Sequence, residues 1–234
     1  MDMSKFLVDA YFTEHEPKAK YMMGSSDPES LSLKEAAPDI SSYCGEPLGY
    51  ALGNGYLPLR EKLTSLYKSL TPDNIAMMNG GEETIYVTMR ALLKPGDEIV
   101  VQMPLYQSLF VIAKEISCHI IEYRPGFENS WKFSLQALKS KITPSTKLII
   151  LNYPHNPTGA CLTDKDMRDI VELCREHDLY LVSDEMYRFL RIDESCSDAS
   201  FADVFEKCVA LGSFSKTFAA PGLRLGWVAV KDPD

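Results

Sequence analysis

The chain has 234 residues, 45% of them apolar and 24% charged, a composition that excludes fibrous and wholly disordered classes. At this length it forms one or two domains and buries roughly 70% of the surface its unfolded form exposes. With 33 acidic against 24 basic residues the formal charge is −9, a field that repels nucleic acid and anionic membranes and leaves room only for a local cationic pocket.

Residues 1–46 mix charge with Ser and Pro and hold only short apolar runs, which predicts an arm with one short helix that wraps another surface. Asp2, Lys5, Asp9 and Glu14 interrupt any basic-then-apolar leader, and no run of about 18 apolar residues occurs. A cytoplasmic protein without a membrane span is therefore expected. Residues 47–234 form the main unit. Leu59, Leu63, Leu66, Tyr67 and Leu70 recur at helical spacing, and Thr71-Pro72-Asp73 is expected to end that helix.

Seven apolar runs follow: Ile75–Met78, Ile99–Met103, Ile116–Tyr123, Leu148–Asn152, Leu179–Ser183, Val209–Ser213 and Leu225–Val230. Amphipathic stretches at Ile85–Leu93, Leu105–Ile116, Leu135–Ile142 and Met167–Cys174 lie between them, with Thr163 and Asp166 as a capping pair before the last. Strands alternating with helices predict an α/β fold with a mainly parallel seven-stranded sheet covered on both faces. The link from Ser213 to Leu225 is short and broken by Pro221-Gly222, so the last strand is expected to run antiparallel.

The six cysteines (Cys44, Cys118, Cys161, Cys174, Cys196, Cys208) include no C-x-x-C pair. Free core thiols are expected rather than a disulfide framework or a zinc site. The four histidines are too dispersed for a metal site, and His155 is expected to support the turn beside Asn156. Trp131 and Trp227 read as packing residues and Ser183 as a strand end, while Glu185 is either solvated or at an interface.

In an open α/β sheet, ligands bind beyond the carboxyl ends of the strands. Polar residues follow five of those ends: Asn79-Gly80-Gly81, Pro104-Leu105-Tyr106, Asn152 to Asn156, Asp184 to Tyr187, and Ser213 to Lys216. Gly81 and Glu82 open a helix whose free amides suit a phosphate, although a glycine turn before a helix is often only a turn. Ser213, Ser215 and Arg224 add hydroxyls and a cation for the same anion. Lys216, otherwise a surface charge, is the side-chain type that forms Schiff bases with carbonyl cofactors. Asp184 directly after an apolar strand is either a helix cap or the partner of a ring nitrogen. Tyr187 and Asn156 can donate to a phenolate oxygen. Tyr106 can stack on a flat ring or simply join the core. A phosphate cup, a ring partner, an oxyanion partner and a covalent lysine together match pyridoxal phosphate.

Three segments resemble the signatures of class I/II aminotransferases, the fold-type I pyridoxal-phosphate enzymes. They are Asn152-Tyr153-Pro154-His155-Asn156-Pro157-Thr158-Gly159, Ser183-Asp184-Glu185-Met186-Tyr187, and the run from Ser213 through Lys216 and Arg224 to Gly226. The resemblance extends from about Gly24 to the C-terminus. It implies that Lys216 is the Schiff-base lysine and proton shuttle, and that Asp184 holds the ring nitrogen protonated. It further implies that Asn156 and Tyr187 bind the ring oxygen and that Tyr106 stacks on the ring. Gly81, Glu82, Ser213, Ser215 and Arg224 would hold the phosphate. Tyr50, with Gly55 and Leu59-Arg60 after it, resembles a tyrosine that reaches the partner's phosphate in a homodimer. Gly24 and Asn156 would lie near the substrate.

Family members run to roughly 400 residues, which implies that this chain lacks the C-terminal small domain and the arginine that grips the substrate carboxylate. None of Arg60, Arg90, Arg124, Arg168, Arg175, Arg188 or Arg191 lies in a motif that replaces it. The sheet is then expected to leave apolar surface bare. The reading is an aminotransferase that exchanges an amino group between an amino acid and a 2-oxo acid. The alternatives are a truncated, non-catalytic cofactor-binding module, or another fold-type I enzyme: a carbon–sulfur lyase, a racemase, a decarboxylase or a cyclising synthase.

Overall fold

A computed structural model describes residues 7–190 and 193–232; Arg191 lies outside them. The arm carries more helix than expected: α1 (Leu7–His15), α2 (Leu33–Ala36) and two single 3₁₀ turns, Glu16–Lys18 and Ile40–Tyr43. A capping box between Ser32 and Glu35 starts α2. The next helix, α3 (Leu57–Leu63), gives way to a 3₁₀ turn at Thr64–Leu66, so the helix expected to reach Leu70 stops earlier. Tyr67 and Leu70 instead pack as extended chain against the core.

The remaining elements alternate: β1 (Ile75–Met78), α4 (Gly81–Leu92), β2 (Glu98–Gln102), α5 (Ser108–Glu115), β3 (His119–Tyr123), α6 (Leu135–Lys139), β4 (Thr146–Asn152), α7 (Asp164–Glu176), β5 (Tyr180–Asp184), β6 (Cys208–Ser213) and β7 (Gly226–Val230). Ile116 to Cys118 leave the expected third strand, because Ile116 closes α5 and Ser117 adopts a positive φ of 70°. The seven strands line up in the order β1-β7-β6-β5-β4-β2-β3. The pairs β2–β3, β2–β4, β4–β5 and β5–β6 are parallel. Strand β7 is antiparallel to both β6 and β1, as the short link before it required. Two reversals leave β1 pointing with the rest, so the carboxyl ends of β1, β2, β4, β5 and β6 share one edge with the start of β7.

Strand residues alternate strictly between two cores. Val100, Ile149, Leu151, Leu181 and Ala210 face α6 and α7, whereas Ile99, Val101, Leu148, Ile150, Val182 and Leu211 face α4 and α5. That period of two is what a sheet covered on both faces demands. Bare apolar surface, expected on the sheet, is found instead on the arm and on the segment leading into α3, at Tyr21, Met23, Leu48, Tyr50, Leu52 and Tyr56.

Trp227 packs as expected. Its ring meets Phe214 edge-on at 5.5 Å, its Nε1 donates to the Tyr67 hydroxyl at 2.7 Å, and a Cβ on Gly212 would strike it. The expectation of free thiols is overturned at one pair: Cys161 and Cys196 form a disulfide with Cα atoms 5.6 Å apart. The two are 35 residues apart in sequence. Their loops also meet where the Ser197 amide donates to the Leu162 carbonyl at 2.8 Å.

Thr163 caps α7 through a box with Asp166. Thr163→Ala is expected to cost about 1 kcal/mol in urea unfolding. Removing the fully buried Ile149 side chain (Ile149→Ala) should cost about 3 kcal/mol with an unchanged m-value.

Candidate functional site

The shared strand edge opens into a cavity of about 680 Å³. Gly24, Gly81, Glu82, Tyr106, Asn156, Asp184, Tyr187, Ser213, Ser215, Lys216 and Arg224 all line it. Of the residues singled out in the sequence, Tyr50 alone stands apart. It is fully exposed in the segment before α3, at 109% relative accessibility, and away from its own chain's cavity.

One end of the cavity is built for an anion. Gly80 caps α4 with a φ of +82°, a left-handed conformation that glycine tolerates best. A Cβ on Gly80 would lie 2.4 Å from Arg224 Nη2, and one on Gly226 would lie 2.6 Å from the Gly80 carbonyl. The absence of side chains at these two glycines therefore lets the guanidinium lie against the start of α4. Arg224 is itself in the left-handed region (φ 49°), and its Nη1 donates to the Pro221 carbonyl at 2.8 Å. A Cβ on Gly81 would lie 3.8 Å from Ser213 Cβ. The amides opening α4, Ser213 and the Arg224 guanidinium thus lie together, and Ser215 lines the same cavity.

Asp184, the last residue of β5 and 3% exposed, also lines the cavity. Its carboxylate accepts from the Met186 amide at 3.1 Å. Burial drives its pKa up to about 7. The Met186 bond and the attraction of Lys216 pull the other way without cancelling it, and the charges of Glu185 and Glu82 add to the rise. A carboxylate so placed favours a cationic partner.

Asn156 Nδ2 donates to the Tyr187 hydroxyl at 3.1 Å. That leaves the phenol proton free to point elsewhere, and Ser26 Oγ lies 2.8 Å from the same oxygen. Tyr106 lines the wall half-buried. Burial and the neighbouring Glu82 carboxylate raise its pKa. Lys216 Nζ donates to Ser26 Oγ at 3.3 Å and forms an ion pair with Asp27.

The flanking residues explain how the loops are held. Asn152 is buried at the end of β4. It donates to the Asp184 carbonyl at 3.0 Å and accepts the Asn156 amide at 2.8 Å, so it registers two site residues at once. Sequence reading missed Asn152 as a functional position, although it opens the Asn152–Gly159 motif. His155 Nε2 donates to the Pro104 carbonyl at 2.8 Å, and its Nδ1 lies 2.6 Å from the Thr158 hydroxyl, which confirms its turn-supporting place. Burial lowers its pKa. Glu185 is neither solvated nor at an open surface. It is buried and bonded to Arg188 Nη1 at 3.2 Å, to the Ser200 hydroxyl at 3.0 Å and to the Phe201 amide at 3.0 Å. Its sequence neighbours gave no sign of these partners, since Ser200 and Phe201 arrive from a distant loop. Ser26 and Asp27 were missed for the same reason.

Comparisons with known proteins bear on the family and the fold. The family model described as aminotransferase class I and II matches residues 20–233. An arginine–pyruvate transaminase of Pseudomonas aeruginosa is 31% identical over 185 residues, covering 76% of this chain and 47% of the relative. An aromatic-amino-acid aminotransferase of Thermococcus litoralis is 32% identical, covering 86% of this chain and 57% of the relative. A solved PLP-dependent aminotransferase from Streptococcus suis superposes with a TM-score of 0.91 at 31% identity, covering 98% of this chain and 63% of that one. The chain spans about half the length of the curated relatives it matches.

The raised Asp184 pKa lies above its unfolded value, so its contribution to stability is present at low pH and lost as pH rises from about 4 to about 7. In cofactor-free protein, Asp184→Asn should therefore gain on the parent in urea midpoint as pH rises from 5 to 8. A gap that does not change with pH would contradict the assignment.

Proposed function

The chain belongs to the class I and II aminotransferase family, and from that premise we propose that it carries the cofactor-binding part of a pyridoxal-phosphate-dependent aminotransferase. Its reaction would exchange an amino group between an amino acid and a 2-oxo acid. The observation that carries this reading is that Lys216, the buried Asp184 and the Gly80–Arg224 cradle all border one cavity.

The donor set fits the cofactor. The α4 amides at Gly81 and Glu82, the Ser213 and Ser215 hydroxyls and Arg224 would hold its phosphate. When bound, the cofactor supplies a carbonyl carbon for amines and a protonated ring that accepts the electron pair left at the substrate's Cα. Asp184 would keep the proton on the ring nitrogen, where the resulting cation offsets the carboxylate's burial. Tyr187, whose oxygen already accepts from Asn156, would donate its own proton to the ring oxygen beside Asn156. Tyr106 would cover one ring face and exclude water from it. Lys216 Nζ would bond to the carbonyl carbon and, once displaced by substrate, move the proton at Cα as a general base and acid. Gly24 would border the substrate. Tyr50, free on its own chain, would serve the second site of a homodimer. Residues 1–46 would be the arm and residues 47–234 the cofactor domain.

A second reading is a non-catalytic module that retains cofactor binding. Adding pyridoxal phosphate should produce a visible absorbance band in the parent and none in Lys216→Ala, which should also lower any turnover at least about a hundredfold. Cofactor binding should exceed catalysis in robustness. Transamination at a rate typical of longer relatives would contradict that ordering, and absence of the band in the parent would overturn the proposed function.

A further inference from the structure

The arm reaches into the cavity at its reacting nitrogen. The Leu31 amide donates to the Ala219 carbonyl at 2.8 Å, which fastens the arm beside the Lys216 loop. From that anchor, Ser26 bonds to the Tyr187 hydroxyl and to Lys216 Nζ, and Asp27 Oδ1 pairs with Lys216 Nζ. The other oxygen of Asp27 accepts from the Ser25 hydroxyl at 2.7 Å, and Ser25 Oγ in turn accepts the Asp27 amide at 3.1 Å, so the carboxylate is aimed rather than free. Its side chain is 44% exposed, whereas that of Lys216 is 24% exposed.

We propose that Asp27 is a catalytic residue whose carboxylate receives whichever amine is off the cofactor's carbon, the substrate's ammonium on arrival or the neutral amine of Lys216 once displaced. This inference rests on the proposed function. Lys216 and Arg224 are the two cations among the cavity's described lining residues, and Arg224 belongs to the anion end. When Lys216 nitrogen is bonded to carbon, Asp27 has lost its ammonium partner, and the amino acid brings another to the same place. The new carbon–nitrogen bond then forms as the Lys216 bond breaks. The two protons shed by the substrate ammonium end on Lys216, which leaves as a neutral amine able to act as a general base, while the positive charge stays on the nitrogen newly bonded to carbon, with no change in oxidation state. Asp27 pairs with the ammonium before the exchange and accepts a hydrogen bond from the Lys216 amine after it. Burial alone would raise its pKa, but the bonds from Lys216 and Ser25 outweigh that and hold it lower, so it remains ionised through neutral pH.

The test uses Asp27→Asn and Asp27→Glu in the full chain with three readouts. In cofactor-free protein, trinitrobenzenesulfonate labelling of Lys216, located by peptide mass, should rise about fivefold in Asp27→Asn, the worth of a partly exposed ion pair. In loaded protein the absorbance band should persist. The concentration of the most effective of the twenty amino acids needed to shift that band should rise about fivefold in Asp27→Asn and recover in Asp27→Glu. The inhibition constant of its 2-oxo acid, which has no ammonium, should stay within twofold of the parent. Equal weakening of amino acid and 2-oxo acid, or unchanged labelling, overturns the role given to Asp27. A parent that shows the labelling effect but never forms the band overturns the proposed function instead, and with it the exchange role.

Discussion

The buried carboxylate of Asp184 is the constraint on which the site depends. It ends the central strand β5, packed between parallel neighbours β4 and β6, where desolvation penalises its charge and raises its pKa to about 7. An apolar residue there would suit the sheet better. The polar surroundings follow from the same choice: Met186 donates its amide to the carboxylate, and Asn152 fixes the carbonyl of the same residue. A fold that keeps such a group gives up stability that a cationic ring can restore, a common arrangement at sites built for a ligand.

Behind this carboxylate stands a second one handled differently. Glu185 is also buried, yet Arg188, Ser200 and the Phe201 amide satisfy it fully. Arg188 in turn donates to the Asp198 and Leu66 carbonyls, so the pair ties the loop after β5 to the segment after α3. Two adjacent acids thus divide the work. One offers its charge to the cavity, and the other fixes the loop that presents Tyr187. The Cys161–Cys196 disulfide and the Ser197–Leu162 bond hold that same loop to the segment following Asn156. The Asn156–Tyr187 hydrogen bond is therefore supported from both sides.

The anion end relies on close approach rather than on charge pairing. Gly80 and Gly226 leave no room for a Cβ beside Arg224 and the α4 start, and the antiparallel β7 brings Gly226 to the edge where the parallel strands finish. Had β7 run parallel, its first residue would lie at the opposite edge and Arg224 with it. The reversal of a single strand thus places the guanidinium at the helix N-terminus.

The sheet, its covering helices and the reversed last strand could be read from the sequence, because apolar period and linker length are local quantities. The same holds for Lys216, Asp184, Asn156, Tyr187 and Arg224, each lying directly beyond a strand end or before the last strand, where topology alone sends it to the rim. What escaped were pairings across long separations. Asp27 and Lys216 lie 189 residues apart, Cys161 and Cys196 lie 35 apart, and nothing in either neighbourhood marks the partner. Helix α3 also stopped short of Leu70: Tyr67 is extended there and accepts from Trp227 Nε1 at 2.7 Å, a long-range contact that helical spacing does not mark. Periodicity determines which face of an element is buried, but only the closed tertiary structure decides which distant polar groups meet there, since hydrogen bonds and ion pairs form through space with no trace in the spacing.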